Sequence, residues 1–135
     1  MSTIFSKIIK GQIPAYKIYA TKKTFAFLDI SPIEKGHTLV VPKLEVDKFT
    51  DLPQEYLQEI FEVSQFLAKA IENSLDCDRV GMYIEGFEVP HFHCHLVPLF
   101  KKTGFKTTRK KITEAEMLKV QSIIIRSINE ITTHK

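Results

Sequence analysis

Apolar side chains recur along this chain with two different periods, and each change of period marks an element. Ile4, Phe5, Ile8 and Ile9 fall at helical spacing, and Gly11 followed by Pro14 supplies a stop, so a short amphipathic helix is expected near the N-terminus. Residues 16–20 and 24–30 are rich in β-branched and aromatic side chains, with Thr21, Lys22 and Lys23 between them as a hairpin connection. Ser31-Pro32 and Lys35-Gly36 bracket a turn, after which His37-Thr38-Leu39-Val40-Val41, closed by Pro42, reads as a central strand. From Asp51 the period lengthens. Leu57, Ile60, Phe61, Ser64, Leu67, Ala68, Ile71 and Leu75 predict a long helix over 51–75, capped by Asp51 with Pro53 in its first turn. Residues 79–85 and 91–100 read as two further strands, separated by Gly86 and Pro90. Thr113 and Glu116 form a capping box for a last helix, whose buried face is Met117, Val120, Ile124, Ile128 and Ile131, followed by a polar tail at 132–135. Strands and helices are segregated, which predicts an antiparallel α+β domain with about five strands and one layer of helices on the sheet.

Composition narrows the class. With 135 residues, 44% apolar and 10% aromatic, the chain is long enough for one domain with its own core, and no repeat or linker divides residues 1–135. Its apolar runs are far shorter than the roughly 20 residues that cross a bilayer, and residues 1–20 carry no secretory signal pattern. No membrane span is expected. Cys77 and Cys94 are too few for a disulfide framework, which makes a reducing, cytoplasmic setting the expectation. A net charge of +3 suits an anionic ligand but is too mild for a nucleic-acid binder.

The candidate chemistry sits in His91-Phe92-His93-Cys94-His95. Side chains alternate along a strand, so the three imidazoles share one surface while Phe92, Cys94 and Leu96 take the other. Neighbouring histidines would then stand about 6.6–7 Å apart, close enough to hold one anionic group such as a phosphate between them. Imidazole titrates near neutral pH, so one ring can attack or accept a proton while another donates. Two rivals stay open: a zinc site at ligand distances of about 2.0–2.1 Å, which His37 could join, and a set of solvated surface histidines.

The stretch His91-Phe92-His93-Cys94-His95-Leu96-Val97 resembles the signature of the histidine-triad (HIT) family. Ile4-Phe5-Ser6-Lys7-Ile8-Ile9, Gly11-Gln12-Ile13-Pro14-Ala15, Ala26-Phe27-Leu28-Asp29-Ile30 and Gly36-His37-Thr38-Leu39-Val40-Val41-Pro42-Lys43 are similar to that family's N-terminal half, so the likeness covers about 3–100 and leaves a basic loop and helix at 101–132. It implies a HIT-like fold and hydrolysis or transfer at the α-phosphate of adenosine phosphoramidates or dinucleoside polyphosphates, through a covalent nucleotidyl-histidine. His93 would be the nucleophile, His95 and His37 would hydrogen-bond the phosphoryl oxygens, and His91 would support the cluster. A purine nucleotide is the implied ligand and a homodimer with joined sheets the implied assembly; no cofactor is needed. A nucleotide-binding scaffold or sensor is the alternative.

By the same resemblance Asp29 accepts the ribose hydroxyls, and Ile4, Phe5, Ile8, Phe27 and Ile30 wall the base. Read alone, those apolar residues suit a core equally, and Asp29 suits a turn before Pro32. Gly86 permits close approach to phosphate or simply turns the chain. Many relatives bind zinc with two N-terminal cysteines, a later histidine and the first triad histidine. Here Thr3, Ser6 and Glu45 stand at the other three positions, so no structural zinc is expected. Phe87 and Glu88 replace polar groups that relatives turn toward phosphate or leaving group, and a carboxylate at Glu88 repels phosphate unless it points away. Six of the eleven residues at 101–111 are basic, which reads as a solvated loop or as a polyphosphate contact.

Overall fold

Five strands form one antiparallel sheet in the order β1-β2-β3-β5-β4: β1 Lys17–Ala20, β2 Thr24–Leu28, β3 Thr38–Pro42, β4 Arg79–Ile84 and β5 Cys94–Leu99. The structure, a computed structural model, describes residues 2–133. Both faces of the three central strands are covered, which is why β2 and β3 read as continuous apolar runs rather than alternating ones. Ala26, Leu28, Val40, Cys94 and Leu96 point into a core built with helices α2 (Gln54–Ser74) and α3 (Glu114–Thr133). Phe25, Phe27, Leu39 and Val41 point the other way, where they meet Phe5, Ile8 and Ile9 of helix α1 (Ile4–Ile9). The two long helices are therefore the layer expected from the sequence, while the short one packs on the opposite face.

Local chemistry explains where the elements begin and end. Thr3 caps α1, its hydroxyl accepting the Ser6 N–H at 3.1 Å, and Gly11 leaves the helix with φ 77°. Gly36 has φ 96°, and a Cβ there would stand 2.4 Å from Leu75 Cδ1, so this turn into β3 requires glycine. On α2 the buried stripe is Ile60, Val63, Ser64, Leu67, Ala70 and Ile71, each large aliphatic among them worth about 1.5–3 kcal/mol of burial. Phe61 lies at its flank and stays exposed beside the exposed Met82 of edge strand β4, on which Ile84 is exposed too.

Four local expectations are corrected. Asp51 does not cap α2: it closes a 3₁₀ turn at Phe49–Asp51, and Leu52, held extended by the proline after it, buries its side chain before the helix starts. The predicted strand at 91–100 forms its ladder only from Cys94, because the Phe92 N–H bonds the Val46 carbonyl (2.6 Å) and the His91 N–H bonds Val89 (2.8 Å). The polar tail is helical through Thr133, whose hydroxyl bonds the Asn129 carbonyl; residues 134 and 135 lie outside the described residues. At the other end of α3 the Glu116 N–H donates to Thr113 Oγ1, while the Glu116 carboxylate goes to Lys35 at 2.6 Å instead of completing the box. No helix among the described residues is long and apolar enough to cross a membrane.

Candidate active site

All four candidate histidines are buried on the α1 face of the sheet, yet each ring is fixed by a named partner. His37 precedes β3, and Leu39 on that strand pairs with His95 on β5, which brings the two rings together. The partners set the tautomers. The Ile33 N–H donates to His37 Nδ1 at 3.0 Å, so the proton of a neutral His37 ring sits on Nε2 and is given to His95 Nδ1 at 2.9 Å. A neutral His95 must then carry its own proton on Nε2, and that buried atom has no partner among the described residues. It is a donor held ready for an oxygen.

His93 is arranged in the opposite sense. Its Nδ1 lies 2.7 Å from the His91 carbonyl, which can only accept, so Nδ1 carries the hydrogen and Nε2 keeps its lone pair. The His93 and His95 ring centres are 4.9 Å apart, and Phe5 meets the His93 ring edge-on at 5.1 Å. A lone pair and an unpartnered N–H therefore stand side by side, as attack on a phosphorus with stabilisation of its oxygens requires. Tyr83, the cross-strand partner of His95, stacks flat on that ring at 4.1 Å.

Although His91 and His93 lie ahead of the hydrogen-bonded ladder, the alternation expected of a strand holds through them, with Phe92 and Cys94 in the helix-side core. Burial pushes the Cys94 thiol up to about 11, so it stays protonated near neutral pH and is no competing nucleophile. His91 supports the cluster from behind. Its Nε2–H donates to the Pro42 carbonyl (2.9 Å), which leaves Nδ1 to accept the Thr3 hydroxyl at 2.8 Å. Ser6 donates to Glu45 Oε1 at 2.6 Å, and the Thr3 N–H reaches the same oxygen at 2.8 Å. Those hydrogen bonds hold the Glu45 carboxyl below its usual range. Thr3, Ser6, Glu45 and His91 thus form a closed network with no thiolate, a poor donor set for zinc.

Asp29 Oδ2, His37 and His95 form the one cluster of potential metal ligands among the described residues, their ligand atoms lying within 4.8 Å of one another. The site suits protons better than an ion. The two ring nitrogens already share one, and the Arg109 guanidinium sits 2.7 Å from the Asp29 oxygen, where it repels a cation. Desolvation dominates the titration of the pair: burial lowers His37 to about 4 despite Asp29, and His95 to about 3, with His37, His93 and Arg109 acting in the same direction on His95.

Those shifts bear on stability. An unfolded imidazole takes up its proton near pH 6.5, whereas the folded rings do so only near pH 4 and 3. Between about pH 6.5 and 4 the unfolded state binds more protons, so stability that is complete above the upper limit is lost as pH falls through the window. Each ring should cost on the order of 2 kcal/mol between about pH 7 and pH 5. Urea midpoints measured at the two pH values test this. Equal midpoints would mean that the rings are charged or hydrated in the folded protein.

The remaining candidates divide. Phe5 and Phe27 are buried against each other, ring centres 5.4 Å apart, and present little surface to a ligand. Ile4 and Ile30 are exposed and Ile8 is half-buried. Asp29 is mostly covered; its Oδ1 accepts the Ser31 N–H and its Oδ2 lies 3.7 Å from His37 Nε2. Gly86 lines a cavity of about 560 Å³ that reaches His93 and is bounded also by Phe49, Ile84, Phe87 and Phe92. A Cβ at Gly86 would meet nothing within 4 Å, so the protein's own packing does not demand glycine there. A larger cavity beside Tyr19, Lys23, Glu55 and Glu59, about 610 Å³, holds none of the histidines. Glu88 is exposed, its Oε1 3.8 Å from Arg109 Nη2. Sequence reasoning missed Tyr83 and Arg109. The first is found only through the β4–β5 register, and the second was one basic residue among six.

A family model described as "HIT domain" matches residues 10–102. Adenosine 5'-monophosphoramidase HNT1 of Saccharomyces cerevisiae is 43% identical over 98 residues, which are 70% of this chain but only 61% of that protein's length. An uncharacterized HIT-like protein of Borreliella burgdorferi is 34% identical over 131 residues, 90% of this chain and 94% of its own. Among solved structures, a zinc-bound histidine triad family protein from Mycobacterium smegmatis superposes with a TM-score of 0.89 at 28% identity, covering 100% of this chain and 99% of that one.

Proposed function

This chain belongs to the histidine-triad (HIT) family of nucleotide hydrolases, and from that premise we propose that it cleaves adenosine 5'-phosphoramidates or dinucleoside polyphosphates at the α-phosphorus through a covalent nucleotidyl-His93. The observation that carries the reading is the pairing of tautomers: a free lone pair on His93 Nε2 next to an unpartnered N–H on His95. The lone pair forms a P–N bond as the P–N or P–O bond to the leaving group breaks; an amine leaving group takes a proton from solvent, which the attacking water later returns, and a polyphosphate departs as the anion. Water then attacks the adduct, releasing the nucleoside monophosphate and regenerating the ring. Splitting one displacement in two lowers each barrier, and His95 Nε2–H stabilises the phosphoryl oxygens in both.

Asp29 binds the ribose hydroxyls and His37 holds His95 in its donor tautomer. Ile4, Ile8 and Ile30 offer the exposed apolar surface for the base, with Phe5 and Phe27 behind them; Gly86 and Glu88 border the phosphate. The name of the yeast relative supports an adenosine phosphoramidate as substrate. A homodimer is supported by the open β4 edge with Met82, Ile84 and Phe61 exposed beside it, since two such edges pair into one continuous sheet. Two unpaired cysteines support a reducing, cytoplasmic setting.

A hydrolysis panel tests the reading: adenosine and guanosine phosphoramidates and dinucleoside polyphosphates, each with and without a chelator. Release of the nucleoside monophosphate at a rate insensitive to chelation is expected. Tight nucleotide binding without turnover would replace this reading with a scaffold or sensor, and loss of activity in chelator with a metal-dependent hydrolase.

A further inference from the structure

The basic segment after β5 is not a loose loop. Phe105 packs edge-on against Tyr83 at 5.1 Å, the ring that stacks on His95. The Lys110 N–H donates to the Pro32 carbonyl (2.7 Å) and its ammonium pairs with Glu34 at 2.5 Å; farther along, Lys35 pairs with Glu116. These contacts strap the segment along the turn between β2 and β3 and set Arg109 at the mouth of the site. Arg109 Nη1 donates to Asp29 Oδ2 at 2.7 Å and to the Ser31 carbonyl at 2.8 Å. Its Nη2 lies 3.8 Å from Glu88 Oε1, beyond hydrogen-bond distance, so Nε and Nη2 make no hydrogen bond among the described residues. The guanidinium thus bridges a carboxylate beside His37 and one in the loop that runs into the triad, with donors to spare.

Charge decides what this arrangement favours. Without a cation, Asp29 and Glu88 would flank the phosphate path with two negative charges and repel a leaving group that itself carries several. A guanidinium between them halves that negative charge, and its remaining donors match phosphate oxygens in planar, bidentate fashion. A neutral amine leaving group has no such need. We propose that Arg109 is a specificity-determining residue that binds phosphate groups beyond the α-phosphate, fitting the site to substrates with a polyphosphate leaving group. The inference rests on the nucleotide-hydrolase reading, for it takes the nucleotide's α-phosphorus to sit at His93.

Binding separates the inference from that reading. AMP, ADP and ATP are titrated by calorimetry, in metal-free buffer, into the wild-type chain, Arg109→Gln and Arg109→Lys. Arg109→Gln should weaken ADP and ATP about tenfold while AMP changes less than threefold, and Arg109→Lys should recover part of the loss because it keeps the charge without the fork. An equal loss for all three nucleotides would assign Arg109 to holding Asp29 and its turn, and no loss would leave it outside the site; either overturns the proposal. Failure of the wild-type chain to bind any of the three would overturn the nucleotide-hydrolase reading itself.

Discussion

Replacing His93 with alanine should lower turnover of an adenosine phosphoramidate by at least ~10⁴-fold and leave no AMP-labelled protein after a rapid alkaline quench, which preserves a P–N bond to histidine, whereas the wild-type chain is labelled in a single turnover. The expected size follows from chemistry. Water without the histidine must attack the phosphorus directly, in one step, with only the neighbouring donors to help it. AMP binding should survive, because the proposed reading puts the ribose on Asp29 and the phosphoryl oxygens on His95. The ring's removal also leaves the His91 carbonyl without its 2.7 Å donor and opens a void beside Phe5, so thermal melting of the variant must accompany the kinetics. A folded His93→Ala protein that turns over normally would remove the nucleophile from His93.

The second large effect is expected at His95. Phenylalanine there keeps an aromatic ring for Tyr83 to stack on but removes Nε2–H, the unpartnered donor, and Nδ1, the acceptor of the His37 proton. Loss of a single preorganised donor to a developing oxyanion costs about 10²–10³-fold in kcat. The dissociation constant of AMP should rise by no more than about tenfold, since the bond strengthens as charge builds on the oxygens. A kcat within threefold of wild type would mean that the His37–His95 pair is structural and that the phosphoryl oxygens are held elsewhere.

The two variants probe a relay whose order depends on neutrality. Charged rings could not pass a single proton orientation from Ile33 through His37 to His95, because both nitrogens of each would then be donors. Burial keeps them neutral near pH 7, at the expense of stability in mild acid. The same low-dielectric setting would strengthen a hydrogen bond from the unpartnered His95 Nε2–H to an oxyanion.

Much of this was legible before any coordinates. The 3.6-residue stripes of α2 and α3, the strand runs around Phe25 and Val40, and the alternation of imidazoles with Phe92, Cys94 and Leu96 are local patterns, and a local pattern survives folding because it states which face must leave water. Where a boundary depended on distant groups, the sequence was silent: β5 begins at Cys94 because Val46 takes the Phe92 amide, and Asp51 loses its cap because Leu52 is drawn into the core. The chain by itself determined which residue types were available to attack, donate and bind, and that three histidines would face one way. Only the tertiary structure decided which nitrogen of His95 and of His91 carries the proton, since His37 sets the first from 58 residues away and the Pro42 carbonyl the second from 49, and only it paired Arg109 with Asp29 across 80 residues. Side-chain pairs at such separations leave no periodic trace, because directional hydrogen bonds and charge pairs form only after the hydrophobic faces have brought their elements together.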